Sequence, residues 1–381
     1  MQPDGRADLD VENVAGRGGP DAEAWREQEP TGDRRARRES ELKTLKAPFP
    51  WFGGKSRVAP LVWSRFGDVP NFCEAFFGSG SVLLGRPHKP QLETVNDKDG
   101  FVCNAWRSIV ADPDRTAHYA DAPVNECELH AKHIYLVNIR TEFVARLEGE
   151  TEFYDAKIAG WWLWGIACWI GSGWCSGKGP WNSVDGKLVH LGDKGRGVNR
   201  QLVHLVDKGV GVNRKRVHLG NKGRGVNSGV SNKTGIQEWF QALSDRLRRV
   251  RVCCGDWSRI CGPTPTYKQG LTGVFLDPPY SDEAGRDPEI YAEDCGKVAH
   301  DVREWCIQNG DNPLLRIACC GYEGQEMPAS WECVAWKAHG GYANQGNGRG
   351  RENSHRERVW FSPACLSGGQ VEMFERKFVN G

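Results

Sequence analysis

Short apolar runs alternate with helix-like stretches along the chain from Ala47 onward. Five of these runs have the length of a strand and end in glycine or polar residues, which is typical of buried strands. They contain the sequences NFCE, LETV, VRVC, TGVF and LLRI, and the first is followed by a glycine-rich turn and the start of a helix. Strands that alternate with helices predict an α/β domain with a largely parallel sheet.

The first 46 residues depart from this pattern. They mix Arg, Asp, Glu and Gly and show almost no apolar periodicity. Such a segment cannot bury enough apolar surface to offset the entropy that is lost on ordering. We therefore predict that residues 1–46 form a disordered tail.

Residues 187–230 contain three imperfect copies of a 14-residue unit, marked by His190, His204 and His218. From Lys187 to Lys233 there are eleven Lys or Arg residues and two Asp residues, although the whole chain has a net charge of only +1. Glycine, asparagine and lysine at this density indicate loops or weak hairpins. The segment is either a low-complexity insertion without a specific role or a flexible basic arm that neutralises phosphates, and both remain open.

The composition favours a protein of the cytoplasm. The N-terminal sequence MQPDGRADLD is acidic and polar, unlike a signal peptide. Residues 158–177 carry no charge, but glycines within 171–173 should end a helix after about 13 residues, which suits a buried core helix better than a membrane span. The 14 cysteines show no C-x-x-C spacing, so we expect reduced, buried thiols and no metal site.

The segment FPWFGGKSR, residues 49–57, contains the Gly-Lys-Ser end of a phosphate-binding loop. The full pattern requires a glycine five residues before Gly54, and that position is Phe49. Without this glycine the backbone cannot wrap tightly around an anion. The segment is therefore not a nucleoside-triphosphate loop, and Gly53, Gly54 and Lys55 require another explanation.

The first two predicted strands end in residues that suit a nucleoside ligand. Gly78 and Gly80 follow the first strand and precede a helix, where glycine lets a ligand approach the backbone. Asp97 ends the second strand, seventeen residues beyond Gly80. A carboxylate at that place can accept hydrogen bonds from both ribose hydroxyls. Asp97 could equally serve as the N-cap of the following helix, so both roles remain open.

The segment FLDPPY, residues 275–280, is the most specific chemical signal. Pro278 and Pro279 fix the turn after an apolar strand and lack backbone donors, so neighbouring carbonyl groups remain as acceptors. Asp277 adds a carboxylate and Tyr280 adds an aromatic face. Together these groups suit a planar ring with an exocyclic amino group, held so that its nitrogen faces an electrophilic methyl group.

In this order, the motifs resemble those of the Dam-like, D12-class DNA adenine-N6 methyltransferases, particularly the phage and prophage members. The resemblance extends from residue 47 to residue 363. The segments that carry it are Trp51–Lys55, Glu74–Val82, Asp97, Gly255–Trp257, Asp277–Tyr280 and residues 353–363. Ala75 stands where the family usually has proline, which we expect to loosen the turn without abolishing binding.

The resemblance implies a Rossmann-like sheet that binds S-adenosylmethionine. Trp51 and Lys55 would contact this cofactor, with Lys55 near its carboxylate end. Asp97 would hold the ribose, while Asp256 and Trp257 would face the cofactor's adenine ring. The remaining expected cofactor contacts are Gly53, Gly54, Glu74, Phe76, Gly78, Gly80, Ser81 and Asp277.

The resemblance also implies methyl transfer to the N6 atom of an adenine that is rotated out of duplex DNA. Tyr280 would stack on the target base. Asp277 and the Pro278 carbonyl, in a turn stiffened by Pro279, would hold its amino group. No metal is required for this transfer.

By the same resemblance, residues 47–103 and 244–381 form the catalytic domain and residues 104–243 form an inserted target-recognition region. Basic residues of the repeats would bind DNA phosphates, which position a protein without specifying sequence. They are Arg196, Arg200, Arg214, Lys215, Arg216 and Arg224. Duplex DNA is the expected partner, with neither a membrane nor an obligate protein partner.

Two other functions remain open. Methylation of cytosine N4 or of an RNA amino group would use the same proline turn. A non-catalytic DNA-binding relic would keep the basic insertion and bind no cofactor. By analogy alone, the expected biological role is that of a solitary phage-type enzyme that protects DNA from host restriction.

Overall fold

A computed structural model describes most of the chain from Leu45 onward. The described residues are 45–49, 51, 55–169, 174–175, 181–184, 187–190, 233–279, 297–336 and 356–367. Nearly all of the predicted disordered tail lies outside these ranges. The basic repeats beyond His190 also lie outside them.

Nine strands lie in the described part of the chain. They are β1 (Asn71–Glu74), β2 (Leu92–Asp97), β3 (Trp181–Val184), β4 (Lys187–His190), β5 (Val250–Cys254), β6 (Thr272–Leu276), β7 (Leu315–Tyr322), β8 (Glu332–Ala335) and β9 (Glu357–Phe361). Seven of them form one sheet in the order β5-β2-β1-β6-β7-β9-β8, in which only β9 runs against the others. The five strands predicted from the sequence are confirmed as β1, β2, β5, β6 and β7.

The two remaining strands, β3 and β4, pair antiparallel with each other. β4 lies at the start of the basic repeats, where weak hairpins were predicted. The second and third copies of the repeat lie outside the described residues.

Within the described ranges, eight α-helices connect or flank the strands. They are α1 (Ala59–Phe66), α2 (Ser81–Leu84), α3 (Gly100–Ala111), α4 (Pro113–Ala120), α5 (Glu126–Gly149), α6 (Ala156–Cys168), α7 (Lys233–Leu247) and α8 (Val298–Asn309). Side-chain caps fix where several of them begin: Asp99 accepts a hydrogen bond from the N–H of Phe101 at the start of α3, and Asp155 accepts one from Ile158 at the start of α6.

Helices cover both faces of the large sheet. Along β6, Phe275 joins the apolar core on the side of α1, α3 and α7. Its neighbours Val274 and Leu276 join the core on the side of α8. This alternation follows from the two-residue period of a strand, and it makes a three-layer α/β/α arrangement in which the central strands are apolar on both sides.

The first part of the uncharged window after residue 157 lies in α6, a 13-residue helix that begins at Ala156. Trp162, Leu163 and Trp164 are buried there, so the prediction of a core helix is confirmed. In the described ranges, no helix combines the length and the apolarity that crossing a membrane requires.

The predicted domain boundaries fall inside helices. The boundary between residues 103 and 104 lies within α3, and the boundary between 243 and 244 lies within α7. α3 also contributes Phe101 and Trp106 to the same apolar core as Phe240 of α7. The division into a catalytic domain and an insertion therefore remains a prediction. The helices at both ends of the predicted insertion pack into the core of the sheet.

A buried ion network fastens α7 to the edge of the sheet. Glu93 of β2 forms bonds of 2.7 and 3.0 Å with Arg246 of α7. It also accepts a hydrogen bond of 3.1 Å from Arg86. The side chains of Glu93, Arg86 and Arg246 are 2%, 0% and 5% exposed. Because α7 resumes the fold after the basic repeats, this network holds the end of the insertion against the sheet.

We expect Glu93→Gln to lower the free energy of unfolding by about 3 kcal/mol, because it leaves two buried guanidinium groups without a full counter-charge. Urea unfolding followed by circular dichroism measures the change. The matched control is Glu150→Gln, which breaks a pair with Arg146 in which both side chains are 55% exposed and should cost less than about 1 kcal/mol. Equal losses for the two variants would contradict the role assigned to the buried network.

Candidate active site

The candidate site lies at the carboxyl ends of the central strands. β1 has β2 on one side and β6 on the other, and all three are parallel. The chain leaves β1 toward β2 and returns later through β6, so the strand order reverses between β1 and β6. Ligands of open α/β sheets bind at such a reversal, beyond the carboxyl ends of the strands.

The strand register brings the two main motifs side by side. Glu74, the last residue of β1, lies opposite Phe275 of β6. The glycine loop that follows β1 and the Asp277 turn that follows β6 therefore leave the sheet at adjacent positions on the same edge.

The glycine loop is held tightly by two tryptophans. Gly78 and Gly80 have φ angles of +46° and +65°, which favour glycine. A Cβ atom at Gly78 would clash with the indole of Trp51, and Trp106 Nε1 donates a hydrogen bond of 2.8 Å to the Gly78 carbonyl. The group that approaches the Gly78 backbone closely is thus Trp51. Its contact places the segment before α1 against the glycine loop.

Asp97 also braces the glycine loop. Its Oδ2 accepts a hydrogen bond of 2.8 Å from the N–H of Gly78, and its Oδ1 accepts one of 2.9 Å from the N–H of Asp99. The cap of α3 is Asp99 and not Asp97. Burial raises the pKa of Asp97 to about 7, although the two backbone N–H groups partly oppose the shift. The carboxylate oxygens retain lone pairs for further donors, so contact with a ribose remains a prediction.

Glu74 and Ser81 support the other end of the loop. Glu74 is buried, and its Oε2 accepts a hydrogen bond of 3.1 Å from the N–H of Leu83 in α2. Burial raises the pKa of Glu74 well above the ordinary carboxyl value. Ser81 Oγ lies 3.0 Å from Ser79 Oγ. Both predicted cofactor residues hold the turn into α2 in shape.

Two aromatic rings lie near the ends of β1 and β5. Phe76 and Trp257 are stacked, with ring centroids 6.4 Å apart and planes at 25°. Trp257 begins a 3₁₀ turn that is capped by Asp256, whose Oδ1 accepts a hydrogen bond of 3.0 Å from the N–H of Ser258. The Asp256 side chain is exposed. The predicted cofactor residues Phe76 and Trp257 are thus in mutual contact.

The centre of the site is a buried ion cluster. Lys55 Nζ lies 2.8 Å from Asp277 Oδ2 and 3.8 Å from Glu357 Oε2. The Lys55 side chain is only 6% exposed. Burial alone would lower the pKa of Lys55, but the carboxylates of Asp277 and Glu357 outweigh it and raise that pKa above the ordinary lysine value. Lys55 is therefore protonated at neutral pH.

Two further side chains border this ion cluster. The thiol of Cys320, on β7, is buried, and its burial raises its pKa well above the ordinary value, so it is neutral. Lys55 Nζ lies 5.3 Å from the centroid of the Trp336 ring, a distance at which a cation is attracted to an indole face. The backbone N–H of Trp336 donates a hydrogen bond of 3.2 Å to the carbonyl of Glu357.

The structure brings some of the predicted site residues into contact. Lys55 contacts Asp277, Trp51 contacts Gly78, Asp97 binds the Gly78 N–H, and Pro278 and Pro279 follow Asp277 beyond the end of β6. Several predicted residues lie outside the described ranges: Gly53, Gly54, Tyr280, Arg196, Arg200, Arg214, Lys215, Arg216 and Arg224. Their roles remain predictions.

Sequence reasoning missed Glu357, Trp336 and Cys320. Glu357 lies in the segment NSHRERVWFSP, which was singled out only for its resemblance. The available signal was the charge of Glu357 at the start of an apolar run, because a residue in that position is expected at the end of a strand. Nothing in the sequence marks Trp336 or Cys320.

The raised pKa of Asp97 predicts a pH dependence of stability. The folded state binds this proton more tightly than the unfolded chain, whose aspartate pKa is about 4. The carboxyl group therefore destabilises the fold increasingly as the pH rises from about 4 to about 7, and by a constant amount above that window. Asp97→Asn lacks this contribution, so its free energy of unfolding minus that of the wild type should increase between about pH 5 and about pH 8.

Urea unfolding of both proteins across this pH range measures the difference. A pH-independent difference for Asp97→Asn would show that Asp97 does not titrate in the way assigned to it.

Comparison with known proteins gives one family match, over the first part of the sheet. Residues 51–162 match the model of the D12 class N6 adenine-specific DNA methyltransferases. The matched stretch includes Lys55, the glycine loop and Asp97, and it ends within α6, whereas Asp277 lies beyond it. No curated protein matches the chain. The seven-stranded sheet with helices on both faces agrees with a Rossmann-like methyltransferase, and the match over residues 51–162 supports a DNA adenine-N6 methyltransferase of the D12 class.

Proposed function

We propose that the protein transfers a methyl group from S-adenosylmethionine to the N6 atom of an adenine that is rotated out of duplex DNA. One observation carries the proposal: the 2.8 Å contact between Lys55 and Asp277. This contact joins the segment before α1 to the turn after β6, beside the point where the strand order reverses. A carboxylate held there by a buried ammonium group is fixed in position before any substrate arrives.

The residues at the ends of β1, β2 and β5 fit a nucleoside cofactor. Asp97 supplies a carboxylate beside the glycine loop, the exposed Asp256 supplies another, and the Phe76–Trp257 pair supplies aromatic surface at the same edge of the sheet. When bound, S-adenosylmethionine supplies an electrophilic methyl group whose bonding electrons remain with sulfur. The chain's part is to orient the cofactor and to exclude water from the transfer.

The turn after β6 would hold the adenine. Its amino nitrogen is a weak nucleophile because the lone pair is shared with the ring. Asp277 and the Pro278 carbonyl would accept its two N–H bonds, which keeps electron density on the nitrogen, while Tyr280 would stack on the ring. N6 must lose one proton after the new N–C bond forms, and an adjacent carboxylate is suited to receive it.

Duplex DNA hides N6, so the base must leave the stack. We propose that residues 104–243 contact the duplex and that the six basic residues of the repeats bind phosphates, which supply affinity rather than sequence specificity. We also propose, by analogy, that the enzyme is of phage type and protects DNA from host restriction.

Asp277→Asn tests the proposal directly. Unmethylated duplex DNA is incubated with protein and S-adenosylmethionine, digested to nucleosides and examined by mass spectrometry for N6-methyladenine. We expect the product from the wild type and a rate at least about 100-fold lower from the variant, because an amide accepts the amino protons more weakly and cannot take up a proton.

The matched control is Glu332→Gln, which removes a carboxylate of β8 that pairs with Arg65, away from the cluster; its rate should equal that of the wild type. N4-methylcytosine as the product would contradict the assigned base. DNA binding without any methylated nucleoside from the wild type would favour the non-catalytic relic and overturn the proposal.

A further inference from the structure

Asn96 is a buried amide beside the candidate cofactor residue Asp97. It is 1% exposed and lies near the end of β2, which has β1 on one side and β5 on the other. These two neighbouring strands lead into the loops that carry Phe76 and Trp257, the aromatic pair proposed for the cofactor. Asn96 therefore lies between the two loops that bring this pair together.

The side chain of Asn96 joins both loops. Its Nδ2 donates a hydrogen bond of 2.9 Å to the carbonyl of Gly255, in the loop after β5. The same Nδ2 donates one of 3.3 Å to the carbonyl of Ala75, in the loop after β1. Because both partners are acceptors, only the NH₂ side of the amide can face them. One NH₂ group thus connects two loops that are far apart in the sequence.

The backbone of Asn96 holds the first loop a second time. Its carbonyl accepts a hydrogen bond of 2.9 Å from the N–H of Phe77. Phe76 lies between Ala75 and Phe77, so the residues on both sides of it are bonded to Asn96. The backbone position of Phe76 is therefore fixed from β2.

Gly255, in the second loop, is also held at two points. Its N–H donates a hydrogen bond of 2.9 Å to the Asp97 carbonyl, and its own carbonyl accepts the bond from Asn96. Its φ angle of +131° lies in the region that favours glycine. The chain is thus fixed two residues before Trp257, where the 3₁₀ turn begins.

The acceptor side of the Asn96 amide makes no such contact. Its Oδ1 receives no hydrogen bond from the part of the chain that the structure describes. A buried acceptor without a donor lowers stability, so the NH₂ group is the part of this side chain that stabilises the site.

We propose that Asn96 is a positioning residue for the adenine ring of the cofactor: by joining the loops after β1 and β5, it sets the spacing of Phe76 and Trp257. The inference rests on the proposed use of S-adenosylmethionine. The two rings are stacked with centroids 6.4 Å apart. A ring pair that is held at one spacing before binding loses less conformational entropy when a planar ligand binds. Asn96 acts through the two loops and need not touch the cofactor.

Calorimetry with S-adenosylmethionine and with S-adenosylhomocysteine, both without DNA, tests this role. Asn96→Leu removes the NH₂ donor and changes the side-chain volume little. We expect both ligands to bind about ten-fold more weakly, as the loss of hydrogen bonds that preorganise a site implies. The two losses should be equal, because the ligands share the adenosine that the ring pair would contact.

Kinetics separate positioning of the cofactor from the transfer itself. In Asn96→Leu the KM for S-adenosylmethionine should rise about ten-fold, while kcat for DNA methylation at saturating cofactor stays within about two-fold of the wild type. The reason is that Lys55 holds the carboxylate of Asp277, so the proposed acceptor of the amino group keeps its place.

The matched control is Asn71→Leu. Asn71 is also 1% exposed, and its Nδ2 also joins separate segments, through bonds of 2.8 Å to the Pro265 carbonyl and 2.9 Å to Thr272 Oγ1. It begins β1, at the edge of the sheet opposite the candidate site. This variant should lose stability in urea unfolding as Asn96→Leu does, but it should bind both ligands like the wild type.

Asn96→Ser, which is smaller and keeps a hydroxyl group, replaces the leucine variant if thermal unfolding shows that the latter does not fold. Its serine hydroxyl is too short to reach both carbonyls, so the same equal loss of affinity is expected.

The outcomes distinguish this inference from the proposed function. Unchanged affinities in the Asn96 variant, or an equal loss in Asn71→Leu, would overturn the role of Asn96 and leave the cofactor proposal intact. A fall in kcat with an unchanged KM would overturn it as well. Failure of the wild type to bind either ligand would overturn the proposed use of S-adenosylmethionine, and this inference with it.

Discussion

The contact between Lys55 and Asp277 is the interaction on which the rest of the site depends. Lys55 precedes the first helix and Asp277 follows the sixth strand, so a single ion pair of 2.8 Å connects two distant parts of the sequence. An ammonium group that is 6% exposed requires a carboxylate nearby. The fold must therefore bring β6 and the segment before α1 together, and this places the proline turn beside the glycine loop.

Most of the candidate residues contact one another and hold the glycine loop in shape. Asp97 binds the Gly78 N–H, Trp51 fills the space beside Gly78, and Glu74 binds the N–H of Leu83. This bracing explains how a loop with two left-handed glycines is held in a single shape at the edge of the sheet. Such preorganisation is what a transfer reaction needs, because orientation of the reacting atoms supplies much of the rate.

The sequence predicted local features well and non-local pairings poorly. Apolar runs that end in glycine or polar residues were sufficient to predict β1, β2, β5, β6 and β7, since strand patterns are local. β9 could not be assigned from its own residues, because its place beside β7 is decided by the rest of the sheet. For this reason Glu357 was not predicted as a neighbour of Lys55.

Two details show where motif reasoning has limits. Asp97 was open between a ribose contact and a helix cap, and the cap is Asp99, two residues further along the chain. Lys55 was expected near the carboxylate of a cofactor by resemblance, whereas the structure pairs it with carboxylates of the chain itself. In each case the observed partner depends on distances that a linear pattern does not contain, and the predicted cofactor contacts of both residues remain predictions.

The proposed reaction centre is Asp277, held in position by Lys55. The most direct measurement is a crystal structure with S-adenosylhomocysteine and a duplex that carries the site defined by sequencing of methylated DNA. We expect an adenine outside the helical stack, with its N6 atom about 3 Å from a carboxylate oxygen of Asp277. An adenine held with N6 against other residues, away from Asp277, would contradict it.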